Sequence, residues 1–508
     1  MDVSRRGFLA SSAGVCAAAS AHVADRLPIA SGPFNSDWDS LRQYRCPEWF
    51  RDAKLGFWAV WGPESVPQQG DWYARNMYIE GHAQYEHHLK TYGHPSRFGY
   101  KDIIPLWAAE RWEPDQLMAL YKSAGAKYFC VIAQHHDNFD CWNSKFHRWN
   151  AVKMGPKKDI IGIWAKAARR MGLRFGVTEH LGASWDWFLV SKGADQKGPY
   201  AGVPYDGADP KYEDLYYPQH ERTGRWYPAN APEWWQRRWF DRIQDLVNSY
   251  QPDLLYSDGG IPFFEVGRSL VAHFYNANLQ WHAGKMEAVY NCKSNESEYF
   301  QEGTCVQDVE RGVMDTIREL PWQTDTCIGD WYYKRDIQYK TATTVITMLA
   351  DIVSKNGNLL LNVPPRADGT LDDNELTVVR QMAAWMEINA ECIFGTRPWK
   401  VFGEGPTRMS GGYFSEGSQP AYTAEDIRFT TKGATLYAIA LAWPADGKLT
   451  IRTLGTGAGL FKHQIADVHL LGHPTALLSS RDAHALTVHL PESKPCDHAF
   501  VLKITPRA

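Results

Sequence analysis

The chain has 508 residues, too many for one average domain and enough for a large barrel plus a smaller unit. Its formal net charge of −4 leaves no basic field, which argues against nucleic acid or an anionic membrane surface as partners. An apolar share of 44% suits an ordinary globular core, but 22 tryptophans are an unusual load, and indole faces pack well against the C–H faces of sugar rings.

At the N-terminus, Ser4-Arg5-Arg6-Gly7-Phe8-Leu9 is a twin-arginine pattern, and a moderately apolar stretch runs on to Ala21. Ala19-Ser20-Ala21 offers small residues for cleavage. We expect an export signal over residues 1–24 and a periplasmic or secreted mature protein. The stretch is too short, and too rich in Ala, Ser and Gly, for a membrane span. Cys46, Cys130, Cys141, Cys292, Cys305, Cys327, Cys392 and Cys496 remain after that segment, with no C-x-x-C pair. Free, mostly buried thiols are expected rather than a zinc cluster or a disulfide framework.

Helix-then-strand units follow. Pro114 opens an amphipathic run with Leu117, Leu120, Tyr121 and Ala124 on one face; Gly125 stops it, and Tyr128–Ala133 reads as a strand. Asp159 caps a helix with Ile160, Ile163, Trp164, Ala167 and Met171 in register, Gly172 ends it, and Leu173–Thr178 is the next strand. The segment 191–231, rich in Gly, Pro, Asp and Tyr, reads as a long loop over the mouth of the fold. Pro232 opens a helix with Trp235, Trp239, Ile243 and Leu246, leading to a strand that ends before Asp258. A helix over Thr341–Ser354 ends at Asn356-Gly357 and feeds a strand over Asn358–Val363.

Alternating helices and short apolar strands mean parallel strands with helical crossovers. Their number favours an α/β fold of the (β/α)8-like, TIM-type barrel class over an open sheet, placed at residues 25–397. No G-x-G-x-x-G or G-x-x-x-x-G-K-[ST] supports a nucleotide site, and no cofactor is expected. Beyond Arg397 the texture changes. Ile427–Thr431 and Thr435–Ala440 flank Lys432-Gly433-Ala434 as a hairpin, and alternating strands continue at 448–452, 468–471, 485–490 and 499–504. A C-terminal antiparallel β-sandwich is expected over 398–508.

The candidate chemistry sits at strand ends. Leu254-Leu255-Tyr256-Ser257-Asp258-Gly259-Gly260 runs apolar residues into one carboxylate, and a buried parallel strand ending so presents that side chain at the carboxyl edge, where catalytic residues collect. The two glycines are expected to leave open backbone for a ligand. Gln134-His135-His136-Asp137 follows directly on a strand. Neighbours on a strand point to opposite faces, so the histidines share a metal only if the strand has ended; a substrate hydroxyl on one imidazole, braced by the other, is the expectation, and no metal. Asp71-Trp72 sets a carboxylate beside an indole, a pair able to grip a hydroxyl and an apolar sugar face together. For a second carboxylate, Glu310 in Asp308-Val309-Glu310-Arg311-Gly312 leads, followed by Glu302, then Glu296 and Glu298.

The pattern resembles the α-L-fucosidases of glycoside hydrolase family 29. Matching stretches run from about Cys46 to Trp399: Lys54-Leu55-Gly56-Phe57-Trp58 with Trp61-Gly62; Gly70-Asp71-Trp72-Tyr73 with Asn76-Met77-Tyr78; Ala124–Tyr128; His135-His136-Asp137 with Phe139 and Trp142; Ser257-Asp258-Gly259; Pro321-Trp322-Gln323; and Val353–Pro365 with Ala367-Asp368-Gly369. The resemblance implies a (β/α)8-like barrel, a C-terminal β-sandwich and a retaining exo-glycosidase that needs no metal and acts on an oligosaccharide or glycoconjugate. It puts Asp258 on the family nucleophile, His135 and His136 on its sugar-binding histidine pair, and Asp71-Trp72 on a Glu-Trp pair with the Glu shortened. Trp61 and Lys293 join the expected substrate contacts, Lys293 where an Arg is common. Glu310 is the chosen acid/base residue. Retention asks for carboxyls about 5–5.5 Å apart, and the Asp258 charge is expected to raise the pKa of Glu310.

Two departures bear on specificity. Val60 stands where the family shows the His that binds the axial 4-hydroxyl, and His180 stands where a Tyr is common. Valine cannot hydrogen-bond. Two outcomes stay open: an α-L-fucosidase in which His180 or a tryptophan compensates, or the same mechanism on a sugar with equatorial O4, such as an α-L-glucoside. A sugar-binding protein on a decayed hydrolase scaffold is the third reading.

Overall fold

The computed structural model describes residues 27–507, apart from 225, 226, 228, 229, 295 and 419. The twin-arginine segment therefore lies outside the described residues.

Eight parallel strands form the first unit: β1 (Leu55–Ala59), β2 (Tyr128–Gln134), β3 (Arg174–Glu179), β4 (Leu254–Ser257), β5 (Val289–Cys292), β6 (Val306–Gln307), β7 (Trp322–Cys327) and β8 (Gly357–Asn362). They are ordered β6-β5-β4-β3-β2-β1-β8-β7. The seam between β6 and β7 is drawn together by a parallel bridge between Asp308 and Gln323, where the Val309 N–H donates to the Gln323 carbonyl at 2.9 Å. The result is a nearly closed barrel.

The crossover helices begin and end where local chemistry says they should. Pro114 sits at the first position of Pro114–Ser123, where its missing N–H costs nothing. Asp159 caps Ile160–Arg170 by accepting from the Gly162 N–H, and Thr341 caps Ala342–Ser354 through the Thr344 N–H. Two helices had no counterpart in the one-sided periodicity. Glu265–Trp281 is buried along most of its length, so no single apolar stripe marks it. Asp373–Asn389 is announced by a capping box between Asp372 and Glu375. The segment 191–231 is not structureless: Asp195 accepts from Tyr85 and Tyr205, and Asp206 from Tyr78 and Tyr216, so buried carboxylates tether it.

The C-terminal unit holds two antiparallel sheets. A five-stranded sheet is ordered β13-β16-β11-β10-β9, from β9 (Arg397–Glu404), β10 (Ile427–Lys432), β11 (Thr435–Ala440), β13 (Ile465–Leu470) and β16 (Phe500–Pro506). A three-stranded sheet is ordered β12-β15-β14, from β12 (Lys448–Ile451), β14 (Ser479–Arg481) and β15 (Leu486–His489). Ile427, Phe429, Leu449, Ile451, Val488 and Leu502 share a core between them. The expected hairpin pairs Thr431 with Leu436. β9 was not foreseen because its residues are nearly all half-buried, with no alternation to read.

The two units are bolted together by a buried carboxylate. Asp351, from the helix before β8, accepts from Lys355 Nζ at 2.7 Å and from Arg428 Nε of β10 at 2.5 Å. All eight described cysteines are free; Cys292 and Cys305 bring their sulfurs to 3.4 Å without a bond.

Candidate active site

The carboxyl ends of the barrel strands converge on one cavity of about 660 Å³, within the roughly 300–1,000 Å³ common for small-molecule sites. β4 delivers Asp258, β5 Lys293, β3 His180, β2 His135 and His136, and β1 Val60; Glu310 follows β6. Asp71 and Trp72 come from the loop after β1, with Trp72 in the left-handed region at φ +62°. Nine of the ten predicted site residues thus line one space.

Lys293 is the hub. Its ammonium lies 3.0 Å from Asp258 Oδ1, 2.7 Å from Glu310 Oε2 and 3.0 Å from Asp325 Oδ2. Two contacts this short on one nitrogen cap the separation of the Asp258 and Glu310 oxygens near the about 5–5.5 Å of a retaining pair, short of the roughly 6.5–9.5 Å of an inverting one. Burial would raise the Asp258 pKa, but Lys293, His180 and His136 outweigh it and hold the carboxyl well below its ordinary range. Glu310 goes the other way. Burial is the main cause, Asp325 and Asp258 add to it, Lys293 opposes, and the group is pushed up to about 7. The Asp258 charge raises it as expected, but desolvation is the larger cause. Asp325 is raised well above its ordinary value by burial and by Asp308. The site holds one ionised carboxylate beside a carboxyl group that titrates near neutrality.

The histidines lie past the end of β2, so the opposite-face rule does not separate them: their ring centroids are 4.3 Å apart. His136 Nδ1 donates to the His180 carbonyl at 2.6 Å, which leaves Nε2 to accept from the Tyr227 hydroxyl at 2.6 Å. His135 Nδ1 pairs with Glu64 Oε1 at 2.8 Å, and its Nε2 lies 3.6 Å from Asp71 Oδ1. Burial lowers the pKa of both imidazoles well below the ordinary histidine value, and the Asp258 charge opposes it. Ligand nitrogens of His135, His136 and His180 lie within 4.8 Å of one another, but both nitrogens of His136 are already spent on protein partners. His180 Nδ1 stands 3.4 Å from Asp258 Oδ2. Among the described residues, the buried Trp58 Nε1 and His180 Nε2 have no hydrogen-bond partner, and both residues line the cavity. Unpaired buried donors and acceptors facing a cavity are costly unless a polar ligand meets them.

Some expectations are corrected. Trp61 is not at the cavity: its ring is fully buried against Trp107 and Trp112, and its Nε1 donates to the Arg366 carbonyl at 2.8 Å. Glu298 and Glu302 are exposed outside the cavity, Glu302 facing Arg318; Glu296 is at the rim. The glycines after Asp258 line the cavity as expected, and close packing also requires them. A Cβ at Gly259, where φ is +84°, would meet the Tyr227 ring at 2.9 Å, and one at Gly260 would meet Tyr299 Cβ at 2.3 Å.

Sequence reasoning missed Glu64, Asp325, Tyr227 and Trp331. Asp325 carried a signal: a carboxylate in mid-strand, in Trp322-Gln323-Thr324-Asp325, whose burial demands a cationic partner. Glu64 sits in a single 3-10 turn, Pro63–Ser65, and Tyr227 in a loop, neither with periodicity to flag it.

A nearly closed parallel barrel with paired carboxyls at its carboxyl rim is the arrangement a glycoside hydrolase needs. The family model described as Alpha-L-fucosidase matches residues 21–391, and that of the Alpha-L-fucosidase C-terminal domain matches 419–505; the chain belongs to the alpha-L-fucosidase family. It is 27% identical over 487 residues to the tissue alpha-L-fucosidase of Homo sapiens, covering 93% of this chain and 92% of that protein. Against the plasma alpha-L-fucosidase of Homo sapiens it is 28% identical over 501 residues, covering 93% and 92%. The crystal structure of Thermotoga maritima alpha-fucosidase in complex with fucose superposes with a TM-score of 0.70 at 28% identity, covering 93% of this chain and all of that one.

Proposed function

We propose that the protein releases terminal α-L-fucosyl residues with retention, Asp258 acting as nucleophile and Glu310 as acid and then base. The observation that carries this reading is the Lys293 bridge, which joins an ionised Asp258 to a Glu310 carboxyl titrating at about 7. Asp258 attacks C1 and the C1–O bond breaks. The leaving oxygen takes the Glu310 proton. Water then attacks C1, gives its proton to the Glu310 carboxylate, and releases Asp258. Lys293 steadies the Asp258 charge in the free enzyme. His135, Asp71 and Trp72 supply polar contacts and an aromatic face for the sugar, His136 braces them with both its nitrogens held by the protein, and Trp58 Nε1 and His180 Nε2 await hydroxyls.

Val60 favours keeping a second reading. It is buried in the cavity lining, its backbone N–H donates to Asn362 Oδ1 at 2.9 Å, and its side chain offers only methyl groups. His180 borders Asp258 and hence the anomeric end, so it is badly placed to replace a ligand at O4. A sugar with equatorial O4, such as an α-L-glucoside, would meet that apolar wall without loss. A panel of aryl α-L-glycosides separates the two readings: the fucosidase reading expects the highest kcat/KM on the fucoside, and a preference for the glucoside would replace it. Product configuration followed by proton NMR tests retention. We also propose that the chain works after export, as the twin-arginine pattern at residues 4–9 suggests; a reporter fused behind residues 1–24 that stays in the cytoplasm would sink this.

A further inference from the structure

The loop that carries Glu310 does not stand alone. Between β9 and β10, the C-terminal unit sends a segment back into the barrel mouth and zips it against that loop. The Gly412 N–H donates to the Val313 carbonyl at 2.8 Å, Phe414 N–H to the Glu310 carbonyl at 2.8 Å, and Glu416 N–H to the Arg311 carbonyl at 2.9 Å. Gln307 Nε2 donates to the Tyr413 hydroxyl at 3.2 Å, and Glu416 accepts from Thr326 and pairs with Lys340. Arg311 and Phe414 both sit in the left-handed region, at φ +45° and +56°. Non-glycine residues held there are strained, and such strain gathers where a site must be shaped.

The outcome is an aromatic ring in an odd place. Phe414 is 66% exposed, yet it lines the same cavity as Asp258 and Glu310. On that lining Asp258, Glu310 and Lys293 are largely shielded from solvent, whereas Phe414 and Glu296 are exposed and Tyr413 and Arg311 half-buried, which puts these four at its rim. A leaving group protonated by Glu310 has to depart across that rim.

We infer that Phe414 is a specificity-determining residue for the leaving group, a platform on which the C–H face of the sugar next to the scissile bond stacks. The C-terminal unit thereby builds part of the substrate site and holds the acid/base loop in place. The inference rests on the fucosidase reading above and extends it from the released sugar to the sugar it is released from.

The test compares two substrates. A fucosyl-galactose disaccharide needs both the rim and an acid; α-L-fucosyl fluoride has no sugar beyond the bond that breaks. In Phe414→Ala, the ratio of kcat/KM for the disaccharide to that for the fluoride should fall about tenfold, and Phe414→Tyr should restore it. Phe414→Leu reads the same ratio if the alanine variant folds poorly, because leucine keeps apolar bulk without a flat face. An unchanged ratio in both truncations, with the wild type active on both substrates, overturns the platform alone. A wild type inactive on both overturns the fucosidase reading with it.

Discussion

Lys293 Nζ stands 2.7 Å from Glu310 Oε2, yet the Glu310 carboxyl is still pushed up to about 7. Burial causes this, and Asp325 and Asp258 add to it. Burial and the Lys293 charge pull this carboxyl in opposite directions, and their balance fixes the pH behaviour of the site.

Glu310 works as an acid only while protonated, so kcat/KM on a substrate with a poor leaving group should fall tenfold per pH unit above about 7. Asp258 must be ionised, and its pKa is held well below the ordinary carboxylate value, so the acid limb should lie below the usual carboxylate range. A pH–rate profile checks both limbs. Activity rising steadily from neutrality to pH 9 would contradict the assignment of the acid.

Lys293 lowers both carboxyl groups, so its removal should raise both. In Lys293→Met the acid and alkaline limbs should each move up by about 1–3 pH units. Lys293→Arg keeps the charge and should return both limbs toward the wild type. Movement of one limb alone would mean that the ammonium does not bridge the pair in solution.

Val60→His puts a hydrogen-bonding ring where only methyl groups face the cavity. If the bound sugar has an axial O4, kcat/KM on an aryl α-L-fucoside should rise by about tenfold or more, and the ratio of fucoside to α-L-glucoside should rise with it. An unchanged fucoside rate would show that position 60 does not face O4.

Four of the eight barrel strands, β2, β3, β4 and β8, were legible because each follows a helix that the sequence marks, and some carry a polar residue straight after the apolar run. Tyr128–Gln134 with His135 and Leu254–Ser257 with Asp258 are such cases. Trp61 misled for a physical reason. An indole next to a glycine suits a sugar or a core equally well, and here Trp107, Trp112 and the Arg366 carbonyl claim it. Glu64 and Phe414 were invisible because their roles depend on contacts between distant segments. Glu64 meets His135 across two loops, and Phe414 reaches Glu310 from beyond β9.

Asp351 ties the barrel to the sandwich through Lys355 and Arg428, all three buried. Asp351→Ala leaves two cations without their carboxylate and should cost about 3–5 kcal/mol of stability. Thermal unfolding should show a clear drop in Tm, while turnover per folded molecule on the fluoride stays near the wild type. A loss below about 1 kcal/mol would mean that water compensates the two cations.

The most direct test of the mechanism is to identify the side chain that a slow-turnover 2-fluoro fucosyl fluoride labels. Peptide mapping of the trapped protein should find the sugar on Asp258, in the peptide Leu254-Leu255-Tyr256-Ser257-Asp258-Gly259-Gly260. A label on Glu310, Asp325 or any other residue would contradict the account.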